Sequence, residues 1–145
     1  MRQDDHYLSY LPPKELKAEI EKMIKNPTAY SMDDFVFALL MLSTNKINFK
    51  LADRLTSFCI DSQNRPVKDM AIMAVGHIAR VYRKKINPEL YIKIVELYFD
   101  DRDPFLQEGA NDALCDLRMF LKIPLPSRDN RDIDKHEAYQ NVRRK

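Results

Sequence analysis

Glycine is scarce in this chain: its 145 residues include two, Gly76 and Gly109. The tight turns that close β-hairpins need positive φ and draw heavily on glycine, so this scarcity argues against an all-β fold. It also leaves no material for a GxGxxG or P-loop cradle around phosphate. Long apolar runs are missing too, since no segment reaches the roughly 18 consecutive apolar residues of a membrane span. The start, Met1-Arg2-Gln3-Asp4-Asp5-His6, is polar and lacks the apolar stretch of a secretory signal. A cytoplasmic location without a membrane partner is therefore expected.

Cysteine and histidine are equally sparse. Cys59 and Cys115 are far apart in sequence, and in a cytosolic chain they read as two thiols on apolar helix faces, not as a disulfide. His6, His77 and His136 fall on separate elements, and none has a histidine or cysteine at i+3 or i+4 that would make a metal-binding face. HExxH and GxSxG are absent. No catalytic residue, metal site or cofactor is assigned, and the chain reads as a non-enzyme. An excess of one charge is also missing: 24 basic and 22 acidic side chains leave a net charge of +2. Without an overall field to draw in nucleic acid or anionic lipid, electrostatic recognition must be local.

What the chain does contain is helical periodicity with clear punctuation. Pro12-Pro13 opens a first helix with Leu16, Ile20, Met23 and Ile24 on one face, and Asn26-Pro27 ends it. Ser31, three residues before Asp34, resembles a capping box ahead of the apolar run Phe35 to Leu42. A third helix is predicted from about Asn48 to Ile60, with Leu51, Leu55 and Phe58 inward. Pro66 starts a fourth, carrying Val67, Ala71, Ala74, Val75, Ile78 and Tyr82 inward before the basic group Arg80, Arg83, Lys84 and Lys85. Asn87-Pro88 and Asp103-Pro104 are cap-plus-proline starts for a fifth and a sixth helix. Ile123-Pro124-Leu125-Pro126 stops the sixth. Residues 127–145 form a charged tail with too few apolar side chains to found a core, compatible with a short helix around Ile133 to Val142.

Helices three and four align with five and six at a spacing of about 39 residues. Leu55, Phe58 and Asp61 fall opposite Ile94, Leu97 and Asp100. Pro66, Ala71, Ala74-Val75 and Ile78 fall opposite Pro104, Ala110, Ala113-Leu114 and Leu117, with one extra residue after the second proline. Helices one and two match more loosely. A helix pair repeated in this way leaves an apolar face that the next pair covers. The stretch Pro66-Val67-Lys68-Asp69-Met70-Ala71-Ile72-Met73-Ala74-Val75-Gly76-His77-Ile78 resembles the second helix of the HEAT and armadillo-like family. That resemblance implies an all-α fold: a short right-handed α-solenoid of about three helix pairs over residues 1–126. In the third repeat, Gln107 and Cys115 depart from the pattern. Gly76 stands mid-helix, where it costs roughly 1 kcal/mol against alanine, so a close packing contact is expected there.

The successive second helices of such a solenoid offer a surface for another protein. Asp33, Phe37 and Met41 are placed on it from the first pair, Asp69, Met73, His77 and Arg80 from the second, and Glu108, Asp112, Cys115 and Asp116 from the third. Glu108, Asp112 and Asp116, four apart, read as an acidic ridge suited to a cationic partner. In size and architecture the chain resembles bacterial immunity proteins of the contact-dependent growth inhibition type. The resemblance implies a monomer that binds a cognate toxin domain, often a nuclease, and blocks its active site. Two other classes remain open: a HEAT-like nucleic-acid-binding or base-repair protein using Arg80 to Lys85, and a scaffold or adaptor subunit.

Overall fold

The structure, a computed structural model, describes residues 6–126. The charged tail, its expected short helix and His136 lie outside them. Within the described residues the chain is all-α, with no strand. The helices are α1 (Pro13–Lys25), α2 (Met32–Thr44), α3 (Phe49–Cys59), α4 (Arg65–Tyr82), α5 (Pro88–Tyr98) and α6 (Pro104–Leu121), with short 3-10 turns at Tyr7–Tyr10 and Pro27–Ala29.

Five of the six described helix starts follow from the side chain that precedes them, and α1 begins instead on Pro12-Pro13 without a capping side chain. The side chains of Asn48, Asn64, Asn87 and Asp103 accept hydrogen bonds from the backbone N–H groups of Leu51, Val67, Glu89 and Leu106, satisfying donors that the first helical turn leaves orphaned. Ser31 and Asp34 form a reciprocal capping box, with Ser31 Oγ accepting from Asp34 N–H at 3.2 Å and the Asp34 carboxylate accepting from Ser31 N–H at 3.0 Å. The caps also correct the repeat alignment. The separation between Asn64 and Asp103 is the same as that between Asn48 and Asn87, and between Arg83 and Lys122, which close α4 and α6 in the left-handed region. No residue is inserted. Proline simply occupies the second helical position in α4 and the first in α6.

The helix α4 is the centre of the packing, set chiefly against α6 and α2, with α3 also against it, α5 on α6 and α1 on α3. Ala38, Ala71, Ala74 and Ala110 are completely buried where these helices meet, and their small side chains let the backbones come close. Leu39, Leu55, Ile78, Leu90, Ile94 and Leu117 fill the space between. Each such side chain removed from water contributes about 1.5–3 kcal/mol. Tyr82, at the end of α4, reaches the α2–α3 connection. Its hydroxyl accepts from Ile47 N–H at 3.0 Å and Asn48 N–H at 3.2 Å and donates to the Leu42 carbonyl at 2.7 Å.

Two expectations are corrected here. Phe58 is 42% exposed, and the inward stripe of α3 is Leu51, Ala52, Leu55, Thr56 and Cys59. The buried Thr56 hydroxyl is satisfied by the Ala52 carbonyl at 2.7 Å. Of the two cysteines, Cys59 is buried, whereas Cys115 is only partly covered.

Candidate functional site

The helices α4 and α6 pack against each other through their alanines, and between their outward side chains lies a groove of about 430 Å³. Asp69, Ile72, Met73 and His77 line it from α4, and Phe105, Leu106, Gly109, Asp112, Ala113 and Asp116 from α6. Met73 is 57% and Phe105 80% exposed, which makes two apolar walls that the fold leaves in water.

Gly76 explains how the acidic end of the groove is held. A Cβ on Gly76 would collide with Asp116 Oδ2 and lie 3.2 Å from its Cγ. The missing side chain is what lets the Asp116 carboxylate rest against α4. The close contact expected at Gly76 is therefore with a carboxylate and not with another backbone. Burial raises the Asp116 carboxyl above its ordinary range; Arg80 and His77 oppose the rise and Asp112 adds to it. Burial lowers His77, Arg80 lowers it further, and Asp116 opposes them. Arg80 Nη2 donates to His77 Nδ1 at 2.9 Å. Because a guanidinium carries donors alone, that contact assigns the imidazole proton to Nε2.

Asp69, Met73, His77, Asp112 and Asp116 thus come together on one groove, with Arg80 joined through His77. The others do not. Glu108 is exposed one turn before Asp112 but does not line the groove, which takes Asp112 and Asp116 from the three acids. Cys115 is half-buried outside it. Asp33 is exposed in the first turn of α2. Phe37 and Met41 are partly buried against the core, and Phe37 is covered by the N-terminal segment. The His6 ring stacks on Phe37 with centroids 4.4 Å apart, its Nε2 lies 3.0 Å from Asp34 Oδ1, and its Nδ1 accepts from Leu8 N–H. Leu8 beside it is fully buried, and Phe37 is left partly covered by the N-terminal segment. Sequence reasoning missed Phe105 and Gly109. Phe105 could have been found as a large aromatic directly beside the apolar stripe of α6 instead of on it.

Two other surfaces bear on function. A larger concavity, of about 560 Å³, lies beside Lys68, Lys93, Asp100 and Arg102, but these groups engage near neighbours. Lys93 pairs with Asp61, Arg102 with Asp100, and Lys68 Nζ donates to the Ile60 carbonyl at 2.9 Å. The basic group at the end of α4 is likewise engaged. The Arg83 guanidinium lies 4.6 Å from the Phe120 ring centroid, the Lys84 ammonium 5.6 Å from that of Phe49, and the Lys85 ammonium is buried. Asp103 is the only member of the Asp100, Asp101 and Asp103 group that caps α6; Asp100 is drawn down to about 2 by its hydrogen bonds from Arg102.

Among the described residues no group of three or more histidine, cysteine or acidic side chains could hold a metal ion. No described helix is long and apolar enough to cross a membrane. No family model matches the chain, and neither a curated protein nor a solved structure matches it.

Proposed function

We propose that this chain is a protein-binding module, a short right-handed HEAT-like α-solenoid of three helix pairs that acts as an immunity protein. It binds a cognate bacterial toxin domain, a nuclease, tightly enough to occlude the toxin's active site, and performs no catalysis itself. The observation that carries this reading is the α4–α6 groove. Exposed Met73 and Phe105 flank the Asp112 and Asp116 carboxylates in it, a combination suited to a protein surface that presents apolar and cationic side chains together. A nuclease supplies such cations, because it must hold a phosphate backbone. Carboxylates that engage those cations compete directly with the nucleic acid.

The contacts at the end of α4 favour this over a nucleic-acid-binding role, since Arg80, Arg83 and Lys84 lie on His77, Phe120 and Phe49. Growth protection provides the test. Cells expressing this chain should survive production of the C-terminal domain of a large secreted protein encoded beside it, and the two should co-purify. Unprotected cells, with both proteins present, would remove the immunity reading.

A further inference from the structure

The charges around the groove specify its occupant more narrowly than protein binding alone. Asp69 is held by Arg65, whose Nε lies 2.9 Å from Asp69 Oδ1 and whose Nη1 reaches Asp103 Oδ2 at 2.9 Å. Asp112 and Asp116 are different. The charges that bear on Asp116 are Arg80, His77 and Asp112, and His77 is turned toward its neutral form by burial and by Arg80. Among the described residues Arg80 is the permanent cation that bears on Asp116, and Asp112 adds a second carboxylate beside it, so the described acidic end of the groove is net negative. The bare Cα of Gly76 leaves the room in which the Asp116 carboxylate lies against α4. Met73 and Phe105 stand exposed on opposite walls.

Resting on the protein-binding reading above, we propose that the α4–α6 groove is the recognition site for a single arginine or lysine of a partner protein, flanked in the partner by apolar side chains. The cation sits between Asp112 and Asp116, and its apolar neighbours cover Met73 and Phe105. Charge complementarity selects the cation, and the apolar walls exclude water so that the ion pair is less screened. A nucleic acid cannot satisfy the site, because it would bring phosphate toward two carboxylates.

Selection of random heptapeptides displayed on phage tests this on the full chain. Wild type and Glu108→Gln, whose changed charge lies outside the groove, should both enrich peptides with one basic residue next to leucine, methionine or phenylalanine. Asp116→Asn and Met73→Ser should not. A synthetic copy of the enriched peptide should bind Asp116→Asn about tenfold more weakly, as should its analogue with glutamine in place of the basic residue. Enriched peptides without a basic residue, equal enrichment on Asp116→Asn, or no enrichment at all would overturn the assignment. Growth protection in the absence of a basic consensus would remove this site and leave the immunity reading standing. A basic consensus without protection would do the reverse.

Discussion

The carboxylate of Asp116 occupies the space that a side chain at Gly76 would need, so one residue of α6 limits what α4 can carry at that position. A mid-helix glycine is ordinarily a loss, and here the loss seats a charge. The contact joins the fold to the candidate site, and it can be measured from both sides.

Alanine at position 76 should behave differently with and without its neighbour. In the wild type, Gly76→Ala displaces the Asp116 carboxylate, and the gain in helix propensity is offset. In an Asp116→Ala background the same substitution should stabilise by roughly 1 kcal/mol. Gly76→Leu overpacks the site and should destabilise by about 1–3 kcal/mol. Urea unfolding of the four proteins in the Gly76→Ala and Asp116→Ala cycle gives the coupling, and strict additivity would show that the two residues do not touch.

Gly109 provides the contrast. A Cβ there would meet Ile72 Cγ2 at 3.4 Å, an ordinary contact. Gly109→Ala should therefore be tolerated and raise stability by about 0.5–1 kcal/mol. A lowered melting temperature would indicate a tighter approach of α6 to α4.

The pH dependence of stability should show the Asp116 and His77 shifts in separate windows. The Asp116 carboxyl is raised in the fold, chiefly by burial, so its contribution is fully present below the ordinary aspartate value of about 4 and is lost as pH rises through the folded value. Asp116→Asn should accordingly raise Tm at pH 7, with the difference shrinking toward pH 3. His77 is lowered, chiefly by burial. The folded chain then binds fewer protons there than the unfolded chain, and stability should fall as pH drops from about 6.5 toward the folded value. His77→Gln should flatten that arm in thermal melts, and an unchanged slope would contradict the burial of the imidazole.

Tyr82→Phe should reveal how much the α2–α3 connection depends on one hydroxyl. Its removal leaves the N–H groups of Ile47 and Asn48 and the Leu42 carbonyl without this partner in a part-buried setting. A loss of about 1–3 kcal/mol in chemical unfolding is expected. Faster amide exchange at Ile47 and Asn48 should accompany it.

The two thiols should separate in reactivity. Burial pushes the Cys59 thiol up to about 12, so it should resist a disulfide reagent at pH 8 until the chain unfolds. The partly covered Cys115 should react first. Equal rates in the native protein would contradict the packing of α3.

Much of the fold could be read from residue types because helix starts are local events. An Asn, Asp or Ser followed by proline or an apolar stripe supplies its own cap, and Asn48, Asn64, Asn87 and Asp103 all do so. The candidate site was legible only in part. Asp69, Met73, His77, Asp112 and Asp116 face one groove because they share the outward face of two helices, which periodicity reveals. The stacking of His6 on Phe37 was not legible, because a helix face carries no record of what will lie on it and His6 comes from a segment with no periodicity of its own. Phe58 was misread because a residue at the edge of a stripe is buried only if a neighbouring helix comes close enough to cover it.

The sequence by itself determined where six helices begin and end, which side of each is apolar, and that two helix pairs repeat, since these depend on capping atoms and on spacing along one chain. The tertiary structure alone decided the distance between α4 and α6. That distance turns Gly76 from a weak point into the seat of Asp116, leaves Phe105 in water and brings Arg80 and His77 of α4 to bear on Asp116 of α6. Those outcomes are set by how far apart two surfaces come to rest, and no pattern within either helix contains that separation.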